Sequence, residues 1–88
     1  MTAENSTKIT MYSGDHCSDC TRSKRLLDSL GVAFKVVEVD GNSEALAKVM
    51  EINGGFKSIP VIVFPDGTHL TEPSDLLLTK KLKALSLI

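Results

Sequence analysis

The chain has 88 residues, enough for one domain and too few for two hydrophobic cores. Hydrophobic residues make up 42% of it and the formal net charge is −1, a composition typical of globular proteins and not of disordered ones. The ten basic residues form no run that would suit nucleic acid, and no apolar stretch approaches the roughly 20 residues that span a bilayer.

We do not expect the N-terminal segment to be a signal peptide. Residues 1–7 lack the basic cluster and apolar core of a signal peptide. We therefore expect a short disordered lead-in over 1–7, a single domain over 8–88, a monomer, and a cytoplasmic location without nucleic-acid or membrane partners. Because the cytoplasm keeps thiols reduced, a cytoplasmic location bears on the chemistry of any cysteine.

The first half of the chain alternates strand and helix patterns. Periodicity predicts strands over 7–13 and 33–40 and helices over 19–30 and 42–53, the first ended by Gly31. The valine run of the second strand predicts burial on both faces, as in a central strand of a parallel sheet. Asn42 or Ser43 is expected to cap the second helix.

The second half predicts a hairpin and a last helix. Strand patterns over 59–64 and 68–71 are separated by the turn Pro65-Asp66-Gly67, and a helix follows over 72–85 with Pro73 near its start. The order is therefore β-α-β-α-β-β-α. We expect an α/β fold in which the first two crossovers are right-handed and parallel, giving a four-stranded mixed sheet with helices on both faces.

Both cysteines lie in one C-x-x-C motif, Cys17 to Cys20. A disulfide across so short a loop restricts the unfolded chain little, which argues against a structural staple. A structural zinc site needs four ligands, and the two histidines, His16 and His69, lack the required spacing. Thiol–disulfide exchange and two inert thiols remain.

The position of Cys17 favours redox chemistry. It lies where the first predicted strand meets the first predicted helix, and the helix N-terminus stabilises a thiolate. Cys20 is expected one turn into the helix, on the same side and more buried. A C-x-x-C motif in this context predicts thiol–disulfide exchange, with Cys17 as the attacking thiolate and Cys20 as the resolving thiol.

Charged residues near the motif allow two interpretations each. Asp19 would raise the pKa of Cys17 by like charge, or it is a favourable acid in the first helical turn. Arg22, Lys24 and Arg25 are expected to form the solvated face of the helix, or to attract acidic partners.

A proline opens the third predicted strand, in the stretch "KSIP" from Lys57 to Pro60. Proline is tolerated at the first residue of a strand. Its peptide bond is either cis, which would turn the preceding backbone toward Cys17, or trans, and the residues alone leave both open.

Taken together, "TMYS…HCSDC", "NGGFKSIPVIVF", "DGTHL" and "PSDL" resemble the glutaredoxin family of the thioredoxin fold, from Lys8 to about Leu85. The resemblance implies that Pro60 is cis and that the backbone of Ile59 pairs with the cysteinyl part of a bound thiol. It further implies that Lys57 lies beside that thiol. The remaining site residues that it implies are Ser58, Ser74 and Asp75.

Three departures from the glutaredoxin pattern bear on the thiol that is bound. Ser18-Asp19 replaces Pro-Tyr, Gly14 stands where a lysine is common, and Thr71-Glu72 replaces Gly-Gly. One basic group is lost and one acid is gained, which disfavours the anionic tripeptide glutathione. The stretches "NGG-x-[KR]-x-x-P" and "DG…LT-x-PS" are more similar to mycoredoxins, which work with mycothiol.

We therefore expect an enzyme, a thiol–disulfide oxidoreductase that reduces protein disulfides or thiol–protein mixed disulfides. Electrons would come from a low-molecular-weight thiol, mycothiol in preference to glutathione, with no metal and no bound cofactor. The alternatives are a thioredoxin-like electron carrier served by a flavoprotein thioredoxin reductase, an iron–sulfur cluster glutaredoxin, and a binding module that kept the fold.

Overall fold

The computed structural model describes residues 8–88, which form four strands and three helices. The strands are β1 (Ile9–Ser13), β2 (Phe34–Glu38), β3 (Val61–Val63) and β4 (His69–Thr71). The helices are α1 (Ser18–Ser29), α2 (Ser43–Ile52) and α3 (Asp75–Ala84). The predicted element order is confirmed, and the lead-in expected over 1–7 lies outside the described residues. No helix within 8–88 is both long and apolar enough to cross a bilayer.

The four strands form one mixed sheet in the order β2-β1-β3-β4. β1 is parallel to β2 and antiparallel to β3, and β3 is antiparallel to β4. The predicted α/β class and mixed sheet are confirmed. The prediction of two parallel crossovers is wrong for the second one, because β3 runs opposite to both β1 and β2.

β2 lies at the edge of the sheet, so its predicted central position is also wrong. Val36 is 39% exposed, and the buried Val39 lies beyond the end of the strand. Valine favours any pleated, half-buried surface, which explains why a valine run did not mark a strand buried on both faces.

Helices cover both faces of the sheet, as predicted. On one face, α1 and α3 pack on β1 and β3 around a buried cluster: Ile9, Met11, Leu27, Ile62, Phe64, Leu78 and Leu82. On the other face, α2 packs around Val39, Ala45, Val49 and Val61. Burial of these side chains provides the main driving force for folding and holds the three helices against one sheet.

The turn between β3 and β4 is stabilised by Asp66. Its Oδ1 accepts hydrogen bonds from the Thr68 hydroxyl at 2.6 Å and the Thr68 amide at 3.0 Å. The bond from the hydroxyl, which has the larger effect, and the bond from the amide both favour the charged carboxylate. They hold the pKa of Asp66 below its usual value. This short turn fixes the hairpin that leads into α3.

Candidate redox site

The two cysteines lie at the start of α1. Cys17 is the N-cap, and its Sγ accepts a hydrogen bond from the Cys20 amide at 3.1 Å. Cys17 is half-buried, whereas Cys20 is only 1% exposed. The two residues are joined by a disulfide, with their Cα atoms 5.2 Å apart. The predicted difference in burial is present, and the pair has the geometry for reversible disulfide formation.

The loop between β1 and α1 approaches the segment before β3 closely. Gly14 is buried, and a Cβ atom there would lie 2.7 Å from Ile59 Cδ1 and 3.3 Å from Asp40 Oδ2. The Asp15 amide donates to the same Asp40 carboxylate. Any side chain larger than glycine at position 14 would therefore require the Ile59 side chain to move.

The Ile59–Pro60 peptide bond is cis, as the resemblance implies. Pro60 is fully buried, and the residue after it, Val61, pairs with Tyr12 of β1. Because β1 and β3 are antiparallel, the C-terminal end of β1 and the N-terminal end of β3 lie at the same end of the sheet. This register places Ile59 and Pro60 beside the loop that carries Cys17.

Asn53, at the end of α2, organises the segment before Pro60. Its side-chain amide donates to the carbonyl of Ser58 at 3.0 Å, and its side-chain oxygen accepts from the Thr71 hydroxyl at 2.7 Å. Asn53 thereby ties the loop of Lys57 and Ser58 to β4. Sequence analysis missed this residue, since an asparagine at a helix end predicts only local capping.

The last helix, α3, starts at the same end of the sheet. Ser74 is the N-cap of α3 and its Oγ accepts from the Leu77 amide at 3.1 Å. The Glu72 amide donates to the Pro60 carbonyl at 2.9 Å, and Glu72 itself has a φ of 49°. The cis-proline segment and the start of α3 are therefore hydrogen-bonded neighbours.

Arg22 is exposed, as expected for the solvated face of α1, and it also connects α1 to α3. Its Nη1 lies 2.9 Å from Asp19 Oδ1, its Nε lies 3.3 Å from Asp75 Oδ1, and its Nη2 donates to the Pro73 carbonyl at 3.1 Å. No periodic pattern could have found this contact, because Pro73 is 51 residues away along the chain.

Acidic groups surround the cysteine loop. The carboxylate oxygens of Asp15, Glu38 and Asp40 lie within 4.8 Å of one another, and all three residues are exposed. Lys24 Nζ lies 3.8 Å from Glu38 Oε2 and offsets part of this charge. The surface beside Gly14 is therefore negative at neutral pH.

The structure brings most of the predicted site residues to one end of the sheet, where β1 ends and β3 begins. Cys17 and Cys20 begin α1, Ile59 and Pro60 precede β3, and Ser74 and Asp75 begin α3. Ser58 is half-buried in the loop held by Asn53, and Lys57 is exposed beside it. The arrangement presents one half-buried sulfur at a helix N-terminus, next to a buried sulfur that can close a disulfide with it.

Comparisons with known proteins agree on one family. A family model described as Glutaredoxin matches residues 9–70. The chain is 35% identical over 66 residues to a protein named as a glutaredoxin in Mycobacterium tuberculosis, covering 75% of this chain and 79% of that one. It is 32% identical over 78 residues to Mycoredoxin 1 of Corynebacterium glutamicum, covering 89% of this chain and 96% of that one.

A solved structure matches at the level of the whole fold. The glutaredoxin-like protein NrdH-redoxin of Escherichia coli, described as having a thioredoxin-like activity profile, superposes with a TM-score of 0.69 at 26% identity. The match covers 83% of this chain and 92% of that one.

Proposed function

The chain belongs to the glutaredoxin family of thiol–disulfide oxidoreductases, and from this premise we propose that it reduces protein disulfides and mixed disulfides with a low-molecular-weight thiol, mycothiol in preference to glutathione. The observation that carries the proposal is the Cys17–Cys20 disulfide at the N-terminus of α1, with one sulfur accessible and the other buried. We further propose that residues 8–88 act as a single domain in the cytoplasm.

Cys17 is the proposed nucleophile. Its position as N-cap places the sulfur at the positive end of the α1 dipole, which lowers the pKa of a thiol. The Cys20 amide already donates a hydrogen bond to this sulfur, and the same bond would stabilise a thiolate. Cys20 is the proposed resolving thiol, because it is buried and bonded to Cys17.

Two reaction routes follow from these roles. In the first, the Cys17 thiolate attacks the small-thiol sulfur of a mixed disulfide, and the protein thiolate leaves with the bonding electron pair and takes up a proton. A second small thiol then attacks the small-thiol sulfur now bonded to Cys17, so that the Cys17 thiolate leaves and the two small thiols depart as a disulfide. In the second, Cys17 attacks one sulfur of a protein disulfide and the other leaves as a thiolate. Cys20 then attacks Cys17, which releases the second protein thiolate and forms the Cys17–Cys20 bond; two small thiols reduce that bond in turn and leave as their own disulfide.

The small thiol is proposed to lie between the cis-proline segment and the start of α3. The Ile59 backbone would pair with its cysteinyl part, Lys57 and Ser58 would line one side, and Ser74 and Asp75 the other. The hydrogen bond between Glu72 and Pro60 supports this placement, because it holds the two segments side by side. The two side-chain hydrogen bonds of Asn53 also support it, because they fix the loop of Ser58 against Thr71 of β4.

Charge favours a thiol without carboxylates. Glutathione carries two carboxylates, whereas mycothiol carries an amino-sugar and inositol in place of glutamate and glycine. Around the proposed site, Asp40 lies beside Gly14, and Glu72 and Asp75 precede and begin α3. Like charges disfavour an anionic ligand, so the neutral thiol should react faster.

The proposed function is tested by reducing a mixed-disulfide substrate with mycothiol or glutathione. We expect the faster rate with mycothiol, loss of activity in Cys17→Ser, and retained mixed-disulfide reduction but lost protein-disulfide reduction in Cys20→Ser. Full activity of Cys17→Ser would contradict the assignment of the nucleophile. Faster reduction by glutathione would contradict the choice of thiol alone.

Glu72→Gln tests the charge argument directly. Removing one exposed charge is worth about 0.2–1 kcal/mol, so the glutathione-dependent rate should rise by at most about fivefold. The mycothiol-dependent rate should not change. Glu51→Gln, the same chemical change near the end of α2, is the matched control and should alter neither rate. Equal rises in both variants would exclude a local effect of Glu72.

A thioredoxin-like electron carrier is the second candidate, favoured by the likeness to NrdH-redoxin. The two candidates differ in their electron donor. Reduction of the Cys17–Cys20 disulfide by a flavoprotein thioredoxin reductase, and by neither small thiol, would support the carrier. An iron–sulfur protein would instead be coloured after anaerobic purification.

A further inference from the structure

Arg22 occupies a position between the redox motif and the last helix. Its guanidinium contacts Asp19 at 2.9 Å, Asp75 at 3.3 Å and the carbonyl of Pro73 at 3.1 Å. The planar fork of arginine can serve three acceptors at once, which a lysine ammonium on a flexible stem does less well. Asp19 is the residue directly before Cys20, so one end of this contact lies inside the C-x-x-C motif.

We infer that Arg22 is a positioning residue that offsets the charge of Asp19 near Cys17 and holds the first turn of α3 against the redox helix. Within residues 8–88, Arg22 is the ion-pair partner of both Asp19 and Asp75. Exposed ion pairs are generally weak, and the side chains of Arg22 and Asp19 are 43% and 42% exposed. Here a single guanidinium joins two carboxylates and a carbonyl, and ion pairs in such networks stabilise more than isolated exposed pairs do.

The electrostatic surroundings of Cys17 explain why this offset matters. The α1 N-terminus and the Cys20 amide favour a thiolate, and nearby carboxylates oppose it. The titratable and charged groups of the loops and elements around Cys17 are Asp15, His16, Asp19, Arg22, Lys24, Glu38, Asp40, Lys57, Glu72 and Asp75. Six are acids, and Arg22 is the cation that contacts two of them. Its removal should therefore raise the pKa of Cys17.

This inference rests on the proposed role of Cys17, and its test uses a Cys20→Ser background in which Cys17 is the only thiol. The pKa of Cys17 is measured from thiolate absorbance and from the pH profile of alkylation. Arg22→Ala should raise this pKa by roughly half a unit, the scale of one screened charge, and slow alkylation about threefold at pH values well below the pKa. Arg22→Lys should give an intermediate value.

Two further variants separate positioning from general charge. Arg25→Ala removes a cation from the same helix, and within residues 8–88 Arg25 makes no ion pair. This control should leave the pKa unchanged. Arg22→Ala combined with Asp19→Asn removes both charges and should return the pKa toward its starting value. If Arg22→Ala folds poorly, Arg22→Lys and Asp19→Asn carry the comparison.

The outcomes distinguish this inference from the proposed function. An unchanged pKa in Arg22→Ala, or an equal rise in Arg25→Ala, overturns the inference and leaves Cys17 as nucleophile. A starting pKa near the ordinary value of about 8.5, together with no reaction with mixed disulfides, overturns the proposed function itself.

Discussion

At the scale of single residues, the candidate site depends on backbone conformations and close contacts that few side chains tolerate. His16 and Glu72, on the two loops that flank the site, have φ values of 55° and 49°. Left-handed conformations are uncommon for residues other than glycine and concentrate at functional sites. Glu72 stands where the glutaredoxin pattern has a glycine, so this chain places an acid at a left-handed position.

The absence of a side chain at Gly14 should matter for the packing of Ile59, the residue before the cis-proline. Gly14→Ala would place a methyl group 2.7 Å from Ile59 Cδ1, so the Ile59 side chain must move. Overpacking against the flexible end of a side chain should lower the free energy of unfolding by about 1 kcal/mol, the low end of the usual range. Because Ile59 borders the proposed thiol site, the KM for the small thiol should rise as well. Urea denaturation and steady-state kinetics measure the two effects.

The matched control removes the atom that causes the clash. Ile59→Val deletes Cδ1, so Gly14→Ala should cost less free energy in an Ile59→Val background than in the parent chain. Additive costs in the double variant would mean that Gly14 is required for another reason.

At the scale of elements, helix caps position the groups that matter. Three of the described residues act as N-caps through their side chains: Cys17, Asn42 and Ser74. Each accepts a hydrogen bond from the amide three residues later, at 3.1 Å in every case. The cap of α1 is a cysteine where Ser, Thr, Asp or Asn is usual, so the helix start itself presents the reactive sulfur.

The other two caps offer a matched pair of variants. Asn42→Ala and Ser74→Ala should each lower the free energy of unfolding by about 1 kcal/mol, measured by urea denaturation. Only Ser74→Ala should also raise the KM for the small thiol, because Ser74 begins the helix beside the proposed site and Asn42 begins α2. Equal kinetic effects of the two variants would show that general destabilisation explains both.

At the scale of the whole molecule, the strand order brings segments that are distant in sequence to one end of the sheet. Hydrogen bonds join Arg22 to Pro73, Asp15 to Asp40, and Asn53 to Thr71, with separations of 51, 25 and 18 residues. The net charge of the chain is only −1, yet acids are concentrated around the cysteine loop. The local field at the site is thus more negative than the net charge suggests.

Ionic strength tests this field. Salt at about 0.5 M shortens the screening length to a few Å and should weaken repulsion of an anionic thiol. The glutathione-dependent rate should therefore rise roughly twofold to threefold between low and high salt, whereas the mycothiol-dependent rate stays constant. A fall of the glutathione rate with salt would indicate that attraction by Lys57 dominates the site.

Much of the fold could be predicted because its signals are local. The seven elements, the cap at Asn42, the turn before β4 and the burial of Cys20 each follow from residues within a few positions of one another. The cis bond before Pro60 followed from the family resemblance, since base rates alone favour trans. Arg22 and Asn53 were missed because their partners come from other elements.

The sequence by itself determined the element order and a C-x-x-C motif at the start of a helix, since spacing and propensity act along the chain. Only the tertiary structure decided that β2 lies at the edge, that β3 runs antiparallel to β1, and that Arg22 joins two helices. Strand order and side-chain partners depend on which surfaces meet when the whole core is buried. Periodicity along one segment carries no information about that choice.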